Sequence, residues 1–186
     1  AVPVVIDPGM AKKDMIVCAK EAAAEAIIGI PLAHFLKTFF KTTFASCKIS
    51  IIVGRQWFFR GVTLSKIRKQ NLNSQPVLCE TLETDLAAIL FTSGSTGIPK
   101  GVEYEHGMFY QQVQAIKKQY DLKPGQKDLP CFPLFGLFSL SMGITLILPD
   151  INPSKPASVN PEKIVEPIIK FGITNCFASP AIWNNV

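Results

Sequence analysis

The sequence predicts an α/β protein with a layered, mostly parallel sheet flanked by helices. Short apolar segments of strand length alternate with segments whose apolar residues recur at helical spacing. Residues 87–91 are continuously apolar, which is typical of a strand covered on both faces. Hydrophobic residues make up 48% of the 186 positions, so the chain can form a core and disorder is disfavoured.

The first part of the chain, residues 1–54, is predicted to be a βαβ arrangement. Strands are expected at residues 3–7, 26–30 and 49–53, and the first helix at 11–23. Pro31 opens the second helix, since proline favours the first helical position. Its apolar residues form one stripe, made of Leu32, Phe35, Leu36, Phe39 and Phe40. His34 falls opposite this stripe, so we expect it on a solvated face.

Residues 55–84 are predicted to be a connection that contains one short helix. Trp57, Phe58 and Phe59 lie there between basic residues. Such a mixture is one way to build a surface for single-stranded nucleic acid. No recognisable nucleic-acid module accompanies it, so we expect no nucleic-acid partner and a solvated linker whose aromatic rings pack on the core. The basic residues are Arg55, Arg60, Lys66, Arg68 and Lys69.

The third part, residues 85–186, is expected to continue the alternation. After the strand at 87–91 and a polar loop, a helix is predicted from a stripe made of Phe109, Val113, Ile116 and Tyr120. A further helix at 162–170 should point Ile164, Val165, Ile168 and Ile169 inward. A strand at 174–178 closes the set.

Residues 131–148 carry no charge and approach the length of a membrane span. Pro133, Gly136 and Gly143 interrupt this run, so a buried helix followed by a strand at 144–148 is the favoured interpretation. We therefore predict no membrane span.

The charge and the cysteine and histidine content limit which ligands the protein can be expected to bind. The formal net charge is +5, which suits an anionic ligand but does not by itself indicate nucleic acid. Five scattered cysteines without a CxxC pair, and only two histidines, leave few ligands for a metal site. We interpret the cysteines as buried and reduced, and the protein as cytoplasmic. Both ends of the sequence look cut, so we expect a piece of a longer protein.

The segment "FTSGSTGIPKGV" at residues 91–102 has the composition of an anion-binding loop. Its glycines allow successive backbone N–H groups to point inward. Thr92, Ser93, Ser95 and Thr96 add hydroxyl donors, and Lys100 adds a mobile positive charge. The loop is expected between a buried strand and a helix, where it suits a polyphosphate better than a carboxylate. A flexible linker is the alternative, but linkers between a core strand and an amphipathic helix rarely carry so many glycines, hydroxyls, a proline and a lysine together.

The loop differs from the ordinary P-loop pattern G-x-x-x-x-G-K-[ST]. Pro99 follows Gly94 five positions later, and Gly101 follows Lys100. The loop instead resembles the phosphate-loop signature of the adenylate-forming enzymes: acyl-CoA synthetases, amino-acid adenylation domains and luciferases. That resemblance implies that the loop holds the β- and γ-phosphates of ATP while a carboxylate attacks the α-phosphate. The implied phosphate-binding residues are Thr92, Ser93, Gly94, Ser95, Thr96, Gly97 and Lys100.

His106 stands where members of that family often have a histidine. A helix-start residue bonded to the backbone and a ligand contact are both open for it.

The resemblance extends along nearly the whole chain to one branch of the family. Segments such as "AVPVVIDPGM", "VGRQWFFRG" and "FGITNCFASPAI" are similar to the branch that makes β-lactones in bacterial long-chain olefin biosynthesis. This implies that the parent adenylates a long-chain fatty acid, here a β-hydroxy acid that closes onto its own hydroxyl. A hydroxyl held close to the activated carbon needs no second substrate. A fatty-acyl-CoA synthetase, a fatty-acyl-AMP ligase and a non-catalytic interaction domain remain alternatives, and other enzymes of the same pathway are candidate partners.

One departure from the family pattern concerns the acyl side. Many acyl-CoA synthetases have a histidine where "PLFG" places Gly136. The missing side chain either opens room for an acyl chain or fits tight packing. Phe132, Phe135, Gly136 and Phe138 are accordingly candidates for lining a substrate pocket, with core packing as the alternative for the rings.

The family's motifs for adenine, ribose and most Mg²⁺ contacts, and its catalytic lysine, do not occur in these 186 residues. The resemblance places them beyond Val186, and with them the C-terminal domain. It therefore implies a partial N-terminal domain without a catalytic residue.

We expect the isolated chain to bind ATP weakly and to lack adenylation activity, because the loop alone cannot clamp the nucleotide. ATP–pyrophosphate exchange measures this, and turnover by the isolated chain would contradict it.

Overall fold

In the computed structural model, residues 1–6, 10–56, 58–75, 77–92 and 99–186 are described. They form two units, Ala1–Glu105 and His106–Val186. These bounds differ from the three parts expected from the sequence, residues 1–54, 55–84 and 85–186. That subdivision concerns the parent domain and stays a prediction.

The first unit contains two three-stranded sheets. One has the order β1 (Val4–Val5), β5 (Leu86–Thr92), β6 (Lys100–Glu105), with β1 parallel and β6 antiparallel to β5. The other is a parallel sheet of β2 (Ala26–Gly29), β3 (Ile49–Ile52) and β4 (Val62–Thr63). The helices of this unit are α1 (Lys12–Ala22), α2 (Pro31–Phe39) and α3 (Leu64–Gln70).

The second unit has one parallel sheet, with β7 (Lys127–Pro130) between β8 (Thr145–Leu146) and β9 (Asn175–Phe177). Its helices are α4 (His106–Gln119), α5 (Gly136–Ser141), α6 (Glu162–Phe171) and α7 (Pro180–Trp183). Short 3₁₀ turns lie at Pro133–Phe135 and Pro156–Ser158. The α/β class with mixed and parallel sheets flanked by helices is thus confirmed. Residues 131–148 form a helix followed by a short strand, as expected, but the helix is not buried as a whole, since Leu137 is 60% and Leu140 is 53% exposed.

The core of the second unit surrounds the central strand β7. Leu129 and Ile164 are fully buried there, and Cys131, Val159 and Ile182 pack in the same cluster. Within the ranges that the structure describes, no helix has the length and apolarity needed to cross a bilayer.

The polar loop was expected to lead into a helix, and that prediction is wrong. The chain instead returns as strand β6, antiparallel to β5, before α4 begins at His106. The short strands β4 and β7 were also missed. β4 has only two residues, and β7 contains Lys127, Asp128 and Pro130, so neither shows the apolar run or alternation that predicts a strand.

The orientation predicted for α2 is wrong as well. His34, expected on a solvated face, is 2% exposed, and its Nε2 lies 3.1 Å from the Ile51 carbonyl oxygen. The apolar stripe faces solvent instead, with Leu32 60% exposed and Phe39 66% exposed. A buried imidazole is tolerated because a strand carbonyl satisfies one ring nitrogen.

Three smaller predictions fail for the same reason, that an apolar residue need not be buried. In α6, Ile164 is buried and Ile168 half-buried, but Val165 and Ile169 are exposed. Phe58 is fully exposed rather than packed on the core. Trp57 lies outside the described residues. Among the cysteines, which are all free, Cys79 is exposed rather than buried.

Gly61, which precedes β4, stands where only glycine fits. Its φ is +154°, and a Cβ built on it would lie 2.6 Å from the Ser50 carbonyl oxygen. Gly54 has a comparable positive φ of +105°, but a Cβ there would meet nothing within 4 Å.

We therefore expect Gly61→Ala to lower the free energy of unfolding by about 1–3 kcal/mol more than Gly54→Ala, because only the first substitution adds a clash with backbone. Urea unfolding of both variants measures the difference. Equal losses would show that φ alone sets the cost.

Candidate functional site

The site begins at the open end of the β5–β6 pair. Thr92, the last residue of β5, lies opposite Lys100, the first residue of β6, and Phe91 lies opposite Gly101. A Cβ on Gly101 would approach the Phe91 ring to 3.3 Å and the Ile89 side chain to 3.2 Å. The glycine therefore lets the Phe91 ring pack against the neighbouring strand, which fixes the base of the loop.

Burial separates the polar from the apolar groups at this end. Phe91 and Pro99 are buried, whereas Thr92 and Lys100 are exposed. Directly opposite residues of an antiparallel pair project on the same face with about 5 Å between their Cβ atoms. A hydroxyl donor and an ammonium group thus stand side by side where the loop leaves the sheet.

The structure brings together the two described members of the predicted phosphate-binding set, Thr92 and Lys100. The others, Ser93, Gly94, Ser95, Thr96 and Gly97, lie outside the described residues. Lys100 takes part in neither of the two ion pairs found among described residues, which are Lys123–Asp121 and Lys163–Asp150. Its charge is therefore not neutralised by a described carboxylate. The phosphate-binding role of the set stays a prediction.

His106 is the first residue of α4 and is exposed. Both interpretations of it, helix start and ligand contact, stay open.

Three of the four candidate pocket residues belong to an aromatic cluster in the second unit. The Phe135 ring is central, with centroid distances of 5.6 Å to Phe132, 6.1 Å to Phe138 and 4.4 Å to Phe177. Phe138 is also 6.2 Å from Phe109 on α4. Tilted rings at these separations attract one another beyond simple burial.

The cluster forms one wall of a cavity of about 520 Å³, which is large enough for a small ligand. Phe135 and Phe138 line this cavity, together with Ile116, Met142 and Ile144. Phe132 is 41% exposed and, like Gly136, is not among the lining residues.

Gly136, the fourth candidate, is buried at the start of α5. A Cβ there would lie 2.7 Å from Leu146 of β8 and 3.2 Å from Pro130 of β7. This close approach supports the packing alternative, in which glycine lets α5 sit directly on the sheet. Whether the position also shapes an acyl pocket stays a prediction.

A polar pair that was not predicted from the sequence also lines this cavity. Asp128 is 6% exposed in the middle of the sheet, and Ser139 Oγ on α5 donates a 2.5 Å hydrogen bond to its Oδ2. Burial raises the pKa of the Asp128 carboxyl, although the Ser139 hydrogen bond opposes the shift. A charged residue just before the uncharged run of residues 131–148 was the only signal of this pair.

Two thiols lie beside this pair. Cys176 Sγ donates to the Leu129 carbonyl oxygen at 3.1 Å. The hydrogen bond with Cys131, together with burial, raises the pKa of Cys176, so this thiol stays protonated at neutral pH. Across the described ranges, no three His, Cys, Asp or Glu side chains form a group that could hold a metal ion.

Comparison with known proteins gives a consistent assignment. The family described as AMP-binding enzyme matches residues 1–186. The chain is 41% identical over 182 residues to the olefin beta-lactone synthetase of Xanthomonas campestris pv. campestris, covering 98% of this chain and 33% of that protein. The same values hold for the olefin beta-lactone synthetase of Stenotrophomonas maltophilia. The chain thus spans about a third of the length of these curated relatives.

Solved structures agree on the fold. A long-chain-fatty-acid-CoA ligase from Archaeoglobus fulgidus superimposes with a TM-score of 0.74 at 21% identity, covering 99% of this chain and 36% of that one. The O-succinylbenzoate coenzyme A synthetase of Bacillus subtilis, solved with ATP and magnesium ion, gives a TM-score of 0.68 at 16% identity, covering 98% and 35%.

The buried Asp128 carboxyl predicts a pH dependence of stability. Because its pKa is raised in the folded state, the folded chain binds this proton more tightly than the unfolded chain. The stability it contributes is complete below the unfolded pKa of about 4 and is lost as pH rises through the folded value. Asp128→Asn should therefore raise the free energy of unfolding at pH 7, with the gain vanishing near pH 4.

Urea unfolding across this pH range measures the effect. Asp150→Asn is the matched control, because Lys163 lowers the pKa of this exposed carboxyl. No gain at pH 7 from Asp128→Asn, or the same pH profile for both variants, would contradict the assignment.

Proposed function

Since the chain belongs to the AMP-binding enzyme family, we propose that its parent is an ATP-dependent ligase that adenylates a long-chain fatty acid, a β-hydroxy acid that it converts to a β-lactone. The observation that carries this proposal is the 41% identity, over 98% of the chain, to two proteins named olefin beta-lactone synthetase. Identity at this level over nearly the whole chain supports a shared reaction more strongly than a shared fold does.

The loop at the end of β5 is the proposed triphosphate site. Thr92 offers a hydroxyl donor and Lys100 an ammonium group on the same face of the sheet. Ser93, Gly94, Ser95, Thr96 and Gly97 complete the proposed set. Charge-assisted hydrogen bonds from these groups would hold the departing pyrophosphate while the carboxylate oxygen attacks the α-phosphorus.

Magnesium supplies charge neutralisation of the triphosphate when bound. We place most of its ligands in other parts of the parent, since the described residues show no cluster of metal-binding side chains.

The proposed second half of the reaction is intramolecular. Once the acyl carbon carries AMP as a leaving group, the substrate's own β-hydroxyl attacks it. A C–O bond closes the four-membered lactone, the bond from the acyl carbon to AMP breaks, and the hydroxyl proton is released to solvent. Holding the hydroxyl near the acyl carbon replaces an encounter with a second substrate. The aromatic wall of Phe135 and Phe138 is the described apolar surface that we assign to the acyl chain.

The cytoplasm is the proposed location of the parent, because all five cysteines are free and such thiols fit a reducing compartment. Other enzymes of the pathway that consumes the lactone are the proposed partners.

The full-length parent, given ATP, Mg²⁺ and a long-chain β-hydroxy acid, should release pyrophosphate and a β-lactone without coenzyme A. Lys100→Ala should lower the adenylation rate by about 10- to 100-fold, the value of a charge-assisted hydrogen bond lost from the transition state. Mass spectrometry of the products and pyrophosphate release measure the two effects.

Lys123→Ala serves as control, since Lys123 is an exposed lysine paired with Asp121 and should leave the rate unchanged. An acyl-CoA product that requires coenzyme A would instead establish the synthetase alternative. A fully active Lys100→Ala enzyme would overturn the proposed phosphate site.

A further inference from the structure

The first unit carries a groove that the proposed reaction does not use. It has a volume of about 1220 Å³ and lies between α2 and residues 58–61. Its walls are mainly apolar, from Leu32, Phe35, Phe39, Phe58 and Phe59. Four cations also line it, Lys37, Lys41, Lys48 and Arg60. We call this surface the α2 groove.

The apolar side of α2 is exposed because the opposite side of the helix packs on the sheet. His34 contacts the Ile51 carbonyl of β3 and is buried. The Phe35 and Phe39 rings contact each other at a tilt of 42° with centroids 4.4 Å apart, yet they are 47% and 66% exposed. Phe58 across the groove is fully exposed. A contiguous set of exposed rings is typical of an interaction surface.

The part of the chain that forms the groove contains basic residues but no acidic ones. Between Ala26 and Cys79 there are eight Lys and Arg residues and no Asp or Glu. The remainder carries eleven basic and fourteen acidic residues. The basic excess of the whole chain therefore comes from the segment that builds the groove.

Most of the groove's cations are available to a partner. Lys37 Nζ is bound internally, 2.9 Å from the Cys47 carbonyl oxygen and 2.8 Å from Ser50 Oγ. Lys41, Lys48 and Arg60 are exposed, and none of them forms an ion pair with another residue in the described ranges. A partner must therefore supply both negative charge and an apolar phase.

These two requirements select among the occupants. A second copy of this surface would bring like charges together, which opposes association. A nucleic acid would neutralise the lysines but leave the aliphatic part of the stripe, such as Leu32, in water. The headgroup region of an anionic bilayer supplies phosphates beside hydrocarbon, so cations and rings are both satisfied.

We propose that the α2 groove is a peripheral docking surface for an anionic lipid bilayer. Helix α2 lies along the membrane plane with Leu32, Phe35 and Phe39 at the acyl boundary, and Phe58 enters beside it. Lys41, Lys48 and Arg60 contact lipid phosphates. This surface acts independently of the adenylation site and would keep the parent close to a source of lipid.

Vesicle co-sedimentation of the full-length parent tests the proposal. It should bind vesicles of equal parts phosphatidylcholine and phosphatidylglycerol, bind pure phosphatidylcholine weakly, and release as salt is raised. Lys41→Gln with Lys48→Gln should weaken binding by about 30-fold, since each basic residue near such a surface contributes about fivefold. Phe35→Ser with Phe39→Ser should weaken it by about tenfold or more.

The matched control is Val165→Ser with Ile169→Ser on α6. These residues are also exposed and apolar, but they stand beside Glu162 and Glu166, so vesicle binding should not change. All variants should keep the parent's adenylation rate with a water-soluble short-chain acid.

The proposal is overturned if the parent does not bind the anionic vesicles. That result is expected if other parts of the parent chain cover the groove. It is also overturned by groove variants that bind as well as the control. A nucleic-acid surface would be identified instead by two results together. A single-stranded oligonucleotide at equal phosphate concentration would displace the parent from vesicles, and binding of the oligonucleotide would require the two lysines but not the two phenylalanines.

Discussion

Antiparallel hydrogen bonding between β5 and β6 is the constraint on which the candidate site depends. The pairing places Thr92 opposite Lys100 and closes the ends of the glycine- and hydroxyl-rich segment onto one edge of the sheet. Thr92 and Lys100, the two described donors, are held in the paired strands, which lowers the entropy lost when they bind a ligand. The buried Phe91 and Pro99 keep that anchor in place while the polar neighbours stay accessible. The proposed phosphate role follows from this separation of buried and exposed groups.

A second constraint is the satisfaction of buried polar groups. His34 and Asp128 are both buried, and each has a hydrogen-bond partner on another element: the Ile51 carbonyl of β3 for His34, and Ser139 Oγ of α5 for Asp128. A buried polar group without a partner costs several kcal/mol, so these contacts fix the position of α2 on one sheet and of α5 on another. In the first unit the consequence is an exposed apolar face on α2. In the second it is a polar pair at the wall of the aromatic cavity.

Close packing against glycine has a similar role at three places. Gly101 admits the Phe91 ring, Gly61 admits the Ser50 carbonyl, and Gly136 admits the Leu146 side chain. A Cβ would meet backbone at Gly61, whereas at Gly101 and Gly136 it would push against side chains of the neighbouring strands. The shapes of the loop base, the small parallel sheet and the α5–β8 contact all rest on these positions. The departure from the histidine that the family often has at Gly136 therefore has a packing explanation beside any role in acyl binding.

The sequence by itself determined the fold class, most long elements and the family. Alternating apolar segments predict an α/β chain, and the positions of β2, β3, β5, α1, α4 and α6 follow from periodicity that local backbone geometry imposes. The loop composition predicts an anion site because glycines let backbone N–H groups point inward and the hydroxyls add donors beside them. Only the tertiary structure decided which faces are buried. The stripe of α2 and the residues Val165 and Ile169 satisfy the helical pattern yet face solvent, while His34 and Asp128 are buried. Periodicity in the sequence shows that one side of a helix or strand is more apolar than the other. Which side is covered depends on partners distant in the sequence, and so do the return of the chain as β6 and the meeting of Asp128 with Ser139.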